Sequence, residues 1–189
     1  MRDENSRQLV KQYVGRDALV VCDPTILWDF QRDENIPHIE EKKYIVVYGS
    51  FFTHELIQGV VTYARKKGLK LICLDSLDDA FDWCDENIKQ NNLNPFQWLS
   101  YFKYAEMVFT CTYHGLLFGL IFNKKTIFNP TEFILDKATS FIKYIGLEDV
   151  LVNFTTFEQK ADWNWDYDKI NVKLDEMREK SLEFLKDSI

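Results

Sequence analysis

The sequence lacks any apolar run of the ~20 residues that a membrane-spanning helix requires. Its most apolar stretch, residues 115–122, has only the length of a buried core helix. A basic excess is also missing, since 23 lysines and arginines stand against 30 aspartates and glutamates, a formal net charge of −7. No nucleic-acid partner is therefore expected, because neutralising phosphates requires a basic face. A small anion needs only a local positive site and is compatible with this charge.

Cysteine is scarce, and none of the four cysteines has the paired spacing of a Cys-x-x-Cys motif. Cys22, Cys73 and Cys111 lie in or just after apolar runs, where a free thiol behaves as a small hydrophobic group. The charged N-terminus has no apolar segment of a secretory signal. These features predict reduced thiols in a cytoplasmic protein. No cluster has the spacing of a metal site, and neither a metal nor a bound cofactor is expected.

The length and composition indicate one globular domain over residues 1–189. Hydrophobic residues make up 46% of the chain, enough to build a core without a disulfide or metal. Residues 163–189 are interpreted as an aromatic loop followed by a charged, amphipathic C-terminal helix packed on the domain. The alternating Trp163, Trp165 and Tyr167 could stack on a sugar or pack that helix onto the core, and packing is the favoured interpretation.

The clearest local pattern is a strand, a helix and a second strand over residues 44–48, 53–67 and 69–74. Both strands are continuously apolar, as in a parallel sheet covered on both faces. The spacing predicts further strands over residues 18–22, 106–110 and 126–128, helices over 2–14, 96–105, 114–122, 134–145 and 168–185, short helices within 76–92, and a strand-like connection over 147–152. This alternation predicts an α/β fold: a Rossmann-like open, mostly parallel sheet with helices on both faces.

Ligands bind such sheets at the carboxyl ends of the strands, which directs attention to residues 48–54 and 110–115. In the second junction, Thr112 is a candidate N-cap, Gly115 allows close approach of the backbone, and His114 lies in the first helical turn. An imidazole there can exchange protons with a bound group. The alternative is an ordinary capping turn with a partly buried histidine. Residues 48–54 lack the Gly-x-Gly-x-x-Gly pattern, and two phenylalanines would crowd a pyrophosphate.

Four segments carry motifs that occur together, in the same order, in one known family. Residues 105–115 read Ala-Glu-Met-Val-Phe-Thr-Cys-Thr-Tyr-His-Gly, and residues 2–6 read Arg-Asp-Glu-Asn-Ser. Residues 23–25 read Asp-Pro-Thr, and residues 146–149 read Gly-Leu-Glu-Asp. This ordered set resembles the polysaccharide pyruvyl transferase family, in which an Ala-x-x-Val-x-Thr strand leads into Asp-Ser-Phe-His-Gly.

The resemblance implies the C-terminal half of a GT-B-like enzyme, in which two Rossmann-like domains face a cleft. It implies transfer of the enolpyruvyl unit of phosphoenolpyruvate to a sugar of a surface polysaccharide, as in exopolysaccharide biosynthesis. His114 then corresponds to the general acid/base and Arg2 to a phosphoenolpyruvate ligand. Thr112, Tyr113 and Gly115 complete the expected substrate-binding set. Thr112 stands where some members have a second arginine.

The motif at residues 2–6 lies near the middle of family proteins, and we therefore expect an N-terminal domain to be missing. A single half cannot form the interdomain cleft, so this chain is expected to be inactive alone. Its expected partners are phosphoenolpyruvate, a glycan acceptor and the missing domain. Two alternatives stay open: a non-catalytic ligand-binding module of the same fold, and a nucleotide-sugar glycosyltransferase domain. The second would need an acidic residue for the ribose hydroxyls.

Overall fold

The computed structural model describes residues 1, 3–40, 43–74 and 81–188. The elements in chain order are α1 (Glu4–Val14), α2 (Pro24–Leu27), β1 (Tyr44–Tyr48), α3 (His54–Lys67), β2 (Lys70–Leu74), β3 (Glu86–Ile88), a 3₁₀ turn (Gln90–Asn92), α4 (Pro95–Tyr104), β4 (Met107–Thr110), α5 (Tyr113–Ile121), β5 (Lys125–Phe128), α6 (Glu132–Ile145), a π-helical turn (Asp149–Asn153), α7 (Phe157–Ala161) and α8 (Tyr167–Asp187).

The strands form one five-stranded sheet in the order β3-β2-β1-β4-β5. All four neighbouring pairs are parallel, and Val46 in the central strand aligns with Ile72 of β2 and Val108 of β4. The chain leaves β1 toward β2 and later returns to β4 on the other side of β1. That reversal places a topological switch point between β1 and β4. The predicted α/β fold with a parallel sheet is confirmed.

Successive residues of β1 pack into two separate cores on the two faces of the sheet. Tyr44 and Val46 belong to the larger core, which is covered by α4, α5, α6 and α8. Ile45 and Val47 belong to the smaller core beneath α3 and α7. Because side chains alternate along a strand, a run that is apolar at every position fits only a sheet buried on both faces.

Most helices of the described part begin with a side-chain cap and several end at a glycine. The capping residues are Asp3, Asp23, Asn94, Thr112, Thr131, Thr156 and Asp166. Helix α3 differs, because the side chain of its N-cap residue, Thr53, makes no capping hydrogen bond with the first turn. Gly68 and Gly146 adopt left-handed conformations, which close α3 and α6 at low steric cost.

Helix α8 packs against the rest of the chain through Ile170 and Leu174, which are buried in the larger core. Two of its polar side chains also hold the segment around α2. The hydroxyl of Ser181 accepts from the amide of Cys22 at 2.9 Å, and Arg178 Nε donates to the carbonyl of Ile26 at 2.7 Å. Among the described residues, no helix combines the length and hydropathy needed to cross a membrane.

The strand predicted over residues 18–22 is wrong. This segment has no strand structure. Two hydrogen bonds join it to the chain start: the amide of Val21 donates to the carbonyl of Met1 at 2.8 Å, and the N-terminal ammonium of Met1 donates to the carbonyl of Leu19 at 2.6 Å. Leu19 and Val20 are exposed. The apolar composition suits a strand, but the segment lies along α8 and does not join a neighbouring strand. Strand structure requires such a neighbour.

Of the short helices predicted within residues 76–92, the described part of this segment contains only the 3₁₀ turn at Gln90–Asn92. Residues 75–80 lie outside the described residues, but 86–88 form strand β3, whose Glu86 aligns with Ile72 of β2. The carboxylate of Asp85 accepts from the amide of Leu71 at 2.7 Å and sets this register. An acidic, polar segment becomes a strand here because an open sheet edge supplies the hydrogen bonds, a tertiary effect that outweighs propensity.

The strand-like connection predicted over residues 147–152 is also wrong, since the π-helical turn occupies 149–153. Lys160 in α7 is 3% exposed, and its ammonium donates to the carbonyls of Val150 at 3.1 Å and Leu151 at 3.5 Å. The turn is thus stabilised by a lysine that follows it in the chain. Burial of that ammonium lowers the pKa of Lys160 to about 8.

The lowered pKa of Lys160 predicts a stability that rises between about pH 8 and pH 10.5. Below about pH 8, Lys160 is protonated in both the folded and the unfolded chain. Between about pH 8 and pH 10.5, Lys160 stays protonated in the unfolded chain but loses its proton in the folded chain. Across this window the free energy of unfolding is expected to rise by about 3 kcal/mol. Urea unfolding across this range, compared with Lys160→Met, checks it. Equal slopes for the two proteins would contradict the burial of an unpaired charge.

The close packing at Gly59 predicts that its replacement by alanine lowers the stability of the fold. A Cβ at Gly59 would lie 2.3 Å from Cβ of Phe157, so the absence of a side chain lets α7 pack on α3. Although alanine favours a helix interior by about 1 kcal/mol, we expect Gly59→Ala to destabilise the fold by about 1–3 kcal/mol. Urea unfolding measures this, with the exposed neighbour Gln58→Ala as control. A stabilised Gly59→Ala variant would show that the α3–α7 contact is looser.

Candidate functional site

The carboxyl ends of β1 and β4 meet at the switch point, and the two junctions singled out from the sequence are in contact there. Gly49, directly after β1, has a φ of +129°, and a Cβ at this position would lie 2.3 Å from Sγ of Cys111. Gly49 is therefore required both by its backbone conformation and by this close approach. The two junctions form one surface at the sheet edge.

A short chain of hydroxyl contacts joins β1 to the start of α5. The buried Thr110 hydroxyl donates to the carbonyl of Tyr48 at 2.7 Å and accepts from the amide of Thr112 at 3.1 Å. The hydroxyl of Thr112 in turn accepts from the amide of Gly115 at 3.0 Å. Thr112 is thus the N-cap of α5, as the sequence predicted. This chain of contacts holds the first turn of α5 against the sheet edge.

Gly115 and Tyr113 face the interior of the domain. A Cβ at Gly115 would lie 2.1 Å from Oγ1 of Thr110, so a glycine is needed for α5 to pack on the end of β4. Tyr113 is 8% exposed, belongs to the larger core and has its ring 6.1 Å from that of Phe141. Both residues lie on the buried side of the first turn of α5.

His114 points to the outer side of the same turn, where half of its side chain is exposed. Its Nε2 lies 3.9 Å from Oδ1 of Asp23, a carboxylate that is only 2% exposed. Oδ1 of Asp23 also accepts from the amide and hydroxyl of Thr25, at 3.1 Å and 2.8 Å, which fixes the carboxylate. The accessible imidazole thus lies within ion-pair range of a fixed carboxylate, although the two are beyond hydrogen-bond distance.

Asp23 was not among the site residues expected from the sequence. The signal that could have identified it is the Asp-Pro-Thr motif at residues 23–25, which carries part of the family resemblance. Nothing in the sequence states that this motif lies beside the His-Gly motif. Their proximity results from the packing of α2 on α5 and α8.

Arg2 and the thiol of Cys111 are two further groups that the sequence singled out. Arg2 lies outside the described residues. The adjoining Asp3 caps α1, and the side-chain Nδ2 of Asn5 donates to the carbonyl of Asp136 in α6 at 3.1 Å. Cys111 is 5% exposed and covered by Gly49. Among the described residues, no three histidine, cysteine or acidic side chains come together as a metal site.

A doubly wound parallel sheet with a topological switch point between β1 and β4 defines a Rossmann-like α/β domain. The family model "Polysaccharide pyruvyl transferase" matches residues 1–128, and the chain belongs to this family of polysaccharide-modifying transferases. The resemblance found in the sequence motifs is thereby confirmed.

Comparison with solved structures finds the glycosyltransferase SnogD from Streptomyces nogalater, with a TM-score of 0.41 and 13% identity. The match covers 89% of this chain and 42% of that one, so the chain spans less than half the length of that enzyme. A similarity this distant carries no argument about function. No curated protein matches the chain's sequence.

The N-cap Thr112 is expected to stabilise the first turn of α5. Thr112→Ala removes the acceptor for the amide of Gly115 and should cost about 1 kcal/mol, whereas Thr112→Ser keeps the hydroxyl and should cost much less. Thermal unfolding of the two variants measures the difference. If alanine and serine are equally tolerated, the hydroxyl chain does not stabilise this turn.

Proposed function

We propose that this chain supplies the acid/base half of a pyruvyl transferase that moves the enolpyruvyl unit of phosphoenolpyruvate onto a sugar. Membership of the family supports a polysaccharide-modifying transferase. The observation that carries the finer proposal is the pair of His114 and Asp23, 3.9 Å apart at the switch point of the sheet. Open parallel sheets bind their ligands at this point.

The first turn of α5 suits the anionic donor. Backbone amides at a helix N-terminus, together with the helix dipole, attract phosphate and carboxylate groups. Thr112 caps this turn, so the position that carries a second arginine in some family members has no charge here. The family resemblance assigns a further anion contact to Arg2.

The transfer requires protons to move at four atoms: the methylene carbon, two sugar hydroxyl oxygens and a phosphate oxygen. A proton added to the methylene carbon of phosphoenolpyruvate turns it into a methyl group and makes the neighbouring C2 electrophilic. A sugar hydroxyl oxygen then bonds to C2 and loses its proton, and the bond from C2 to the phosphate oxygen breaks. A second hydroxyl of the sugar closes the ketal. The two hydroxyl protons balance those gained by the methyl group and by inorganic phosphate.

His114 is the group in this proposal that delivers and removes those protons. Its half-exposed ring can reach a ligand in the crevice, and the fixed carboxylate of Asp23 limits how the ring turns and stabilises it while it carries the proton. Asp23 is thus a positioning residue and His114 the catalytic one.

Ligand binding separates this proposal from the two alternatives. Thermal unfolding with phosphoenolpyruvate, with UDP and with neutral sugars distinguishes them, because a ligand that binds the folded state raises its unfolding temperature. A shift with phosphoenolpyruvate favours the pyruvyl transferase, and a shift with UDP alone favours the nucleotide-sugar enzyme. The non-catalytic module would bind ligand without turnover in any form of the protein.

His114→Ala is expected to lower turnover by about two to four decades, the usual contribution of a positioned acid/base group. The measurement is phosphate release from phosphoenolpyruvate with a glycan acceptor, in an enzyme preparation that shows this activity. His38→Ala is the matched control, since His38 is an exposed histidine that contacts Tyr104. Full activity of the His114→Ala variant would refute the assignment.

Asp23→Asn tests the positioning role separately. Asparagine still caps α2, so the fold should be kept, but the ring of His114 loses its charged neighbour. We expect a smaller loss of turnover than for His114→Ala, and a displaced acidic or basic limb in the pH profile of kcat. A change in KM alone, with an unchanged pH profile, would contradict this role.

A further inference from the structure

A second cavity opens at the same edge of the sheet, beyond β5. It has a volume of about 340 Å³ and lies between the first turn of α3, the end of β5 and residues 151–155. Its wall includes Thr53, Leu56, Phe128, Asn129, Leu151 and Lys160. None of the residues assigned to the His114 crevice lines it.

The positive charge in this cavity belongs to Lys160, which is 3% exposed, and the wall also includes the exposed carboxylate of Glu55. Its ammonium donates to two backbone carbonyls, those of Val150 and Leu151, and it forms no ion pair among the described residues. Lysine is almost never fully buried without a counter-charge, because its desolvation costs several kcal/mol. Carbonyl dipoles satisfy hydrogen bonds but leave the net charge uncompensated.

The first turn of α3 contributes to the same wall. Thr53, Glu55 and Leu56 line the cavity, and the side chain of Thr53 makes no capping hydrogen bond with this turn. The amide of Thr53 donates to Oδ1 of Asn129 at 2.7 Å, which ties the start of the helix to the loop after β5. Glu55, the acidic residue of the wall, is exposed. The positive end of α3 and the ammonium of Lys160 therefore border one cavity.

We infer that this cavity binds the carboxylate or phosphate group of a small molecule, with Lys160 as its counter-charge. The uncapped first turn of α3 would supply backbone donors to the same oxygens. The apolar side chains of Leu56, Phe128 and Leu151 would cover a short hydrocarbon part of the ligand. This anion site is distinct from the His114 crevice and does not rest on the proposed transferase activity.

Binding of inorganic phosphate and of pyruvate, measured separately by calorimetry, tests the site. We expect at least one of the two to bind the wild-type chain at millimolar concentrations or below. Lys160→Met should weaken that binding at least about tenfold, the usual effect of losing a charged contact. Lys169→Met, which removes an exposed lysine on α8, should leave it unchanged. The better-bound probe identifies phosphate or carboxylate as the ligand group.

Val152→Trp is the second variant, because Val152 lies on the cavity wall and is 39% exposed. Its carbonyl is not one of the two that accept from the ammonium of Lys160. The indole should fill the cavity and abolish binding while the fold is kept. His114→Ala should still bind the probe, which separates this site from the proposed active site. No binding by the wild type, or equal binding by the wild type and both cavity variants, would overturn the inference.

Discussion

The pairing of β1 with β4 is the constraint on which the rest of the structure depends. It places the carboxyl ends of the two strands side by side, and there the Thr110 hydroxyl donates a hydrogen bond to the carbonyl of Tyr48. A side chain at Gly49 would collide with Cys111, and one at Gly115 would collide with Thr110. The two junctions therefore meet because two glycines permit a close approach that a hydrogen-bonded threonine then holds.

The position of Asp23 depends on an element at the other end of the chain. Helix α8 forms hydrogen bonds on both sides of Asp23. The hydroxyl of Ser181 accepts from the amide of Cys22, and the guanidinium of Arg178 donates to the carbonyl of Ile26. The carboxylate is thus kept beside His114 by a helix that contributes no side chain of its own to the pair. Loss of α8 would be expected to disturb the crevice before it disturbs the sheet, because β1 and β4 pair independently of it.

Positive groups lie at the carboxyl edge of the sheet in a chain whose net charge is −7, together with the carboxylates of Asp23 and Glu55. The N-termini of α3 and α5 both lie at this edge, and the ammonium of Lys160 is buried beside the first of them. Exposed acidic residues far from this edge contribute little to the field there, because exposed charges are screened over about 10 Å at moderate ionic strength. Net charge alone is therefore a poor guide to which ligands such a domain accepts.

The sequence by itself determined the central βαβ unit, the cap at Thr112 and the place of His114 in the first turn of α5, because these depend on neighbouring residues and regular spacing. Tertiary structure decided the rest. An open sheet edge made residues 86–88 a strand, packing along α8 left residues 18–22 outside the sheet, and Lys160 held residues 149–153 in a turn. The pairing of Asp23 with His114 likewise arises between segments far apart in the chain. No local pattern encodes such contacts, because their energies depend on partners that only the folded chain brings together.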